Sequence, residues 1–284
     1  MSRAPVEVTF TFDLEYNEAS EWQTRRFPEL TDAVLDALDE HGVQGTVFVL
    51  GSLVETHPAV VKSIAVRGHE IGLHGWTHQP LTELDPATLA SHLDRGRTAL
   101  QDLTGQEVAG YRAPTFSLVR ASAWAVDVIR DAGFGYSSSI MPARHPLYGF
   151  PECPHRPFRW ANGLVELPCP VLRLPPIALG YLGGIYLRLL PQALVRAAVN
   201  RSRPGALLWT YCHPYDFDAD EPFFVMEPLG RLGSRLMWLN RSNMLGRIEE
   251  LHRGRPGRPL RARVAELDGA GALPIVTVPV VSRA

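Results

Sequence analysis

The first half of the chain alternates short apolar runs with amphipathic stretches, and this rhythm constrains the fold more than any single residue does. VEVTFTF (6–12), QGTVFVLG (44–51), HEIGLHG (69–75) and EVAGYRAP (107–114) read as strands. PELTDAVLDALDEHG (28–42), HPAVVKSIAVRG (57–68), DPATLASHLDRGRTALQDLTG (85–105) and ASAWAVDVIRDAG (121–133) read as helices. Asp85 is placed as an N-cap, Pro58 lies in a first turn, and Gly42 and Gly68 act as stops. A strand followed by a helix, repeated at a spacing of roughly 30 residues, is the signature of a parallel sheet with crossover helices.

Residues 142–191 break the rhythm. They are rich in Pro and Gly, yet carry too many aromatic and aliphatic residues for a disordered linker, and we read them as long loops and short strands laid over the barrel. Beyond them, 191–202 reads as a helix and GALLWTYCHP (205–214) as a strand. Residues 232–252 read as one helix, and LPIVTVPVVSRA (273–284) as a final strand. No repeat or linker stands out, so residues 1–284 are expected to form a single domain, with a C-terminal extension from about 217.

At 284 residues and 45% hydrophobic, the chain can bury a sizeable core. A net charge of −2 with no basic block argues against a nucleic-acid partner and gives no sign of electrostatic binding at an anionic membrane surface. The first residues lack the pattern of a signal peptide, and no apolar run is long enough for a transmembrane segment, so a cytoplasmic location is expected. Three cysteines, Cys153, Cys169 and Cys212, without CxxC spacing, agree with a reducing compartment.

Polar residues collect where strands end: Asp13 and Glu15 after the first, His74 and His78 after the third, Arg112 in the fourth and His213 after the late one. In a parallel barrel, strand C-termini open on one face, and that face carries the active site. Two histidines four apart on one helical turn can share a metal, and a carboxylate from another strand end would complete a set of the kind catalytic zinc uses. Taken alone, HxxxH also fits an ordinary loop, an Asp-x-Glu a solvated strand end, Arg112 a surface residue before a turn proline, and His213 a core histidine. Their convergence gives them weight as a set. His69 opens its strand, on the opposite face, and is left out. Trp76, Tyr111, Phe116 and Trp209 read first as core packing and second as rings lining a binding site.

In order along the chain, TFDLE, HGWTH, YRAP and the late histidine resemble the motifs of the NodB-type polysaccharide deacetylases, carbohydrate esterase family 4. Residues 133–223, with YSSSIMP, HPLYGFP, GLVELP, GGIYLRLLP and WTYCHPYDFDADEP, are similar to the branch linked to exosortase and exopolysaccharide clusters. The resemblance implies an α/β fold, a distorted (β/α)7-type barrel. It also implies a metal-dependent hydrolase, most often zinc-dependent, that removes N-acetyl groups from an amino sugar or glycan precursor. By position, Asp13 corresponds to the general base, Arg112 to the residue orienting it and His213 to the general acid; His74 and His78 correspond to metal ligands. Leu14 stands where the family has its second Asp, which leaves Glu15 as the third ligand. Ser137 stands where the branch has an Asp thought to tune the catalytic histidine. A backbone N–H within Ala113–Thr115 is a candidate for oxyanion stabilisation. A cyclic-amide hydrolase on the same fold and a non-catalytic carbohydrate-binding barrel are the competing readings.

Overall fold

The computed structural model describes residues 6–16, 20–145, 147–174, 177–203, 206–255, 257–271 and 273–277. The first half runs β1 (Val8–Thr9), β2 (Thr11–Leu14), α1 (Glu21–Glu40), β3 (Thr46–Val49), α2 (Leu53–Thr56), α3 (Pro58–Val66), β4 (Glu70–Leu73), α4 (Pro86–Thr104), β5 (Gly110–Tyr111), α5 (Ala125–Asp131) and β6 (Tyr136–Ser137). The second half adds β7 (Phe158–Trp160), β8 (Val165–Glu166), β9 (Leu172–Leu174), β10 (Ile177–Leu179), α6 (Gly184–Leu189), α7 (Gln192–Arg201) and β11 (Leu208–Trp209). It closes with α8 (Gly230–Trp238), α9 (Met244–His252), α10 (Leu260–Gly269) and β12 (Ile275–Val276).

Strands β2, β3, β4, β5, β6 and β8 pair side by side in parallel. On the other edge β1 pairs in parallel with β11, and a parallel bridge from Phe12 to Cys212 carries that contact along β2. The apolar run VEVTFTF is thus one extended segment that changes partner at Phe10, taking β11 on one side and β3 on the other. Thr210 anchors the switch: its Oγ1 accepts the Thr11 N–H at 3.0 Å. This is the distorted (β/α)7-type barrel that the resemblance implies. Strand residues are buried on both faces, which explains why they read as continuous apolar runs.

Helices cover the outside. In α1, Phe27, Thr31, Val34, Leu35 and Leu38 form the buried stripe. The helix starts at Glu21, earlier than the expected Pro28, because Ser20 Oγ caps it by accepting the Gln23 N–H and Pro28 is tolerated inside. Asp85 caps α4 as expected, and Gly105 ends it in the left-handed conformation, φ 71°. The 142–191 region forms the β7–β8 and β9–β10 hairpins and α6.

The expected single helix over 232–252 is two helices. Asn240, at φ 58°, takes a left-handed turn between α8 and α9 and reverses the chain there. Helix α10 was not anticipated. It closes the bottom of the barrel: the Leu260 N–H donates to Thr46 Oγ1 at 2.8 Å and the Arg261 N–H to Glu70 Oε2 at 2.9 Å. Glu70 also accepts from Thr46 and Tyr136, and burial raises its pKa. Of the expected last strand only β12 is seen, parallel to β7; residues 278–284 lie outside the described residues. Among the described residues no helix is long and apolar enough to cross a membrane.

Candidate metal centre and active site

The strand ladders set the site. The Asp13 N–H donates to the Cys212 carbonyl, the His74 N–H to that of Val49 and the Arg112 N–H to that of Leu73, all within 2.8–2.9 Å. Each side chain therefore leaves the sheet at the same end. The stretch between His74 and His78 is not the helical turn expected. Gly75 takes φ 84°, where a Cβ would meet the Thr77 carbonyl, and this bend brings His78 back beside His74.

Glu15 Oε2 lies 2.6 Å from His78 Nε2 and 3.1 Å from His74 Nε2. The three ligand atoms fall within 4.8 Å of one another, a group able to hold a metal ion. His74 Nδ1 donates to the Arg112 carbonyl at 2.9 Å, which leaves the Nε2 lone pair facing the Glu15 carboxylate. Two lone-pair donors aimed at each other require a proton or a cation between them, and the donor set, one carboxylate and two imidazoles, suits a divalent metal. Burial works against the charge on Glu15, yet His78 and His74 outweigh it and hold its carboxyl well below the usual range. Burial likewise opposes protonation of His78, but Glu15 raises its pKa.

Asp13, buried behind Glu15, receives Arg112 Nη1 on Oδ1 at 2.6 Å. The guanidinium is fixed between the Phe48 and Trp209 rings, 4.1 and 4.4 Å from their centroids, and donates also to Ser138 Oγ and Thr11 Oγ1. His213 faces this pair from the late strand: its Nε2 is 3.8 Å from Asp13 Oδ2 and 3.9 Å from Glu15 Oε1.

The partner of His213 was missed in the sequence. Asp216, three residues on, folds back through the turn at Pro214–Asp216. Its Oδ2 accepts both His213 Nδ1–H and the His213 backbone N–H at 2.9 Å. Arg188 from α6 pairs with the other oxygen at 3.1 Å, with both side chains fully buried. Burial disfavours the imidazolium, but Asp216, Glu15 and Asp13 raise the His213 pKa to about 9. Tyr215 stacks on the ring at 4.7 Å. The position expected to hold a tuning acid, Ser137, instead donates to Ser139 Oγ, and the Ser139 N–H donates to buried Glu166. The HPYD spacing was the available signal for Asp216.

A cavity of about 490 Å³ opens from Glu15 and His78. Its rings are Tyr16, Tyr215, Phe224 and Trp238 rather than those expected. Tyr111 and Trp209 are in the core, Trp76 lies under the Arg95 guanidinium at 3.6 Å, and Phe116 packs on Trp209 and Tyr211. The far wall is held by Glu221, which pairs with Arg241 at 2.5 Å and accepts from Gln23 at 2.7 Å. Within 113–115, the Ala113 N–H donates to Ser139 Oγ and Pro114 has none, so Thr115 alone remains as a candidate donor.

Residues 3–136 match the family model "Polysaccharide deacetylase", and 138–255 match a "Domain of unknown function (DUF3473)". Over residues 3–136 the chain is thus similar to the polysaccharide deacetylases, in agreement with the resemblance of its motifs to the NodB type. The second match crosses residue 217 and takes in the cavity wall. Relatives include the peptidoglycan deacetylase-like protein FGM2 of Gibberella zeae, 36% identical over 42% of this chain and 36% of that protein. A chitooligosaccharide deacetylase of Rhizobium leguminosarum bv. trifolii is 32% identical over 36% of this chain and 45% of that protein. The chain thus spans less than half the length of the curated relatives it matches. A crystal structure of a candidate polysaccharide deacetylase from Mycobacterium smegmatis superposes with TM-score 0.65 over 98% of both chains at 24% identity. A CE4-family pseudoenzyme of Bacillus anthracis gives 0.51 over 92% of this chain and 66% of that one, at 14% identity. At such identities the likeness is one of fold.

Proposed function

We propose that this protein is a metal-dependent N-deacetylase acting on an acetylated amino sugar, with Zn2+ as its cation. The observation that carries the reading is the meeting of Glu15, His74 and His78 around one point, with Asp13 and His213 facing each other beside it. A divalent cation held by Glu15, His74 and His78 would polarise the acetyl carbonyl and acidify a water molecule. Asp13, oriented by Arg112, accepts the proton of the attacking water. His213, cationic at neutral pH through Asp216, gives its Nε2 proton to the leaving amine. The Thr115 N–H is the candidate donor to the tetrahedral oxyanion. The cavity is in the size range of small-molecule sites and gives a sugar ring both aromatic walls and the polar Gln23–Glu221 edge.

The test is acetate release from a panel of N-acetylated sugars, with zinc or with chelator. The expected result is zinc-dependent release, lost in Asp13→Asn and His74→Ala. Activity indifferent to both substitutions would overturn the reading. Ring opening of a cyclic amide without acetate release would favour the other hydrolase chemistry, and sugar binding without turnover the non-catalytic barrel.

A further inference from the structure

Helix α8 forms part of the wall between the cavity and solvent. Its inner side sends Met237 and Trp238 into the cavity and buries Ser234. Its outer side carries an apolar stripe. Leu232 and Leu236, four apart on the helix, are 76 and 41% exposed, and Leu229 and Leu239, which flank it at either end, are 44 and 46% exposed. The preceding segment adds Phe223, Phe224 and Val225, also exposed, and Phe224 joins the patch to the cavity lining. An apolar surface of this extent, continuous with a binding cavity, marks an interaction site.

Charge identifies the occupant. Although the net charge of the chain gives no sign of an anionic surface, residues 223–248 hold four arginines against one acidic residue, the exposed Glu227. Arg241 is tied to Glu221, and Arg247 donates to the Leu187 and Leu190 carbonyls. Arg231 and Arg235 are exposed, four apart along one flank of the leucine stripe, with no ion-pair partner among the described residues. In a symmetric dimer built on this face the patch would meet itself and bring like charges together. Leucines beside arginines on one helix face are instead the composition of a helix that lies in the headgroup region of an anionic bilayer.

We propose that the outer face of α8, with Phe223–Val225, docks this protein peripherally on an anionic lipid bilayer, with the cavity mouth next to the membrane surface. The docking does not depend on the chemistry proposed for the site. The test is co-sedimentation of the full chain with phosphatidylcholine vesicles with and without about 30% phosphatidylglycerol. The expected result is binding that requires the anionic lipid and weakens with salt. It should fall on the order of tenfold in Arg231→Ala/Arg235→Ala and vanish in Leu232→Glu/Leu236→Glu, whose circular dichroism and melting stay those of the parent. Asp13→Asn should bind as the parent does, which separates docking from catalysis. The proposal is overturned by failure to bind either vesicle, by equal binding of the Leu232→Glu/Leu236→Glu chain, or by sedimentation showing a dimer that this double substitution dissociates.

Discussion

Asp216→Asn tests the least expected part of the site. Asp216 is completely buried, accepts two hydrogen bonds from His213 and faces Arg188. The substitution keeps size and one carbonyl oxygen but removes the charge, and two separable losses follow. First, Arg188 keeps its hydrogen bonds to the Met237 and Leu239 carbonyls but becomes a buried cation without its counter-charge. Breaking a buried pair from one side costs about 3–5 kcal/mol. Second, His213 loses the largest of the contributions that raise its pKa from the ordinary 6.5 to about 9. A rise of about 2.5 corresponds to about 3 kcal/mol of linkage free energy, the second loss expected if His213 returns to its ordinary pKa in the variant.

The two losses differ in pH dependence. A histidine whose folded pKa is raised contributes stability that is fully present below its unfolded pKa, near 6.5, and that disappears as pH rises through about 9. The Asp216→Asn penalty should therefore be larger at about pH 6 than at about pH 10 by about 3 kcal/mol, while the Arg188 part persists at both. The assay is urea unfolding of the chelator-treated parent and variant at the two pH values, with the His213 ring followed by NMR. Equal penalties at both pH values, or an unmoved His213 titration, would refute the reasoning.

Other consequences can be measured directly. Glu15→Gln should abolish the rise in melting temperature that zinc produces in the parent, a ligand-linkage effect of about 2.7 kcal/mol at a hundredfold excess over Kd; an undiminished rise would place the cation elsewhere. Zinc binding to the parent at about pH 6 should release protons, because Glu15 raises the His78 pKa above its ordinary value and the imidazole must give up its proton to coordinate; calorimetry in buffers of different ionisation enthalpy reads the number, and zero contradicts the geometry. Glu221→Gln should strip Arg241 of its buried partner, lower stability by about 3–5 kcal/mol and raise KM more than it lowers kcat, since Glu221 touches the cavity and not the reacting centre. Loss of kcat alone would argue against a wall role.

What the sequence revealed, and what it hid, follows from how far each signal reaches. The strands of the first half are buried on both faces, so they stand out as apolar runs, and the helices between them carry a strong periodic stripe; Asp85 and Gly105 mark one helix at both ends. Asp13, Glu15, His74, His78, Arg112 and His213 were legible because strand C-termini place them on one face. The structure brings these side chains together, while their roles remain proposals. The Asp216–Arg188 pair was hidden because its meaning depends on a tight turn and on a helix 28 positions upstream, a juxtaposition with no local pattern. The break between α8 and α9 was hidden because Asn240 gives only a weak stop signal inside an otherwise helical stretch. The cavity rings were misassigned for a related reason: Trp209 and Tyr111 look as available in sequence as Tyr215 and Trp238, and only packing separates them.

The charge arrangement around His213 links the parts of the site. Asp13 and Glu15 present two carboxylates within 4 Å of one imidazole, and Arg112 neutralises only the first. Without a cation, the negative charge of Glu15 raises the pKa of both His78 and His213 and so helps to hold His213 cationic. With a cation on Glu15, that contribution weakens, and Asp216, backed by Arg188, remains as the fixed anion that keeps a proton on His213 for the leaving group. A site built on Glu15, one residue beyond the usual acid, places its carboxylate between the histidine pair and the general-acid candidate. Such a site needs an independent anion behind His213, and in this chain the anion lies in the same turn as the histidine it serves.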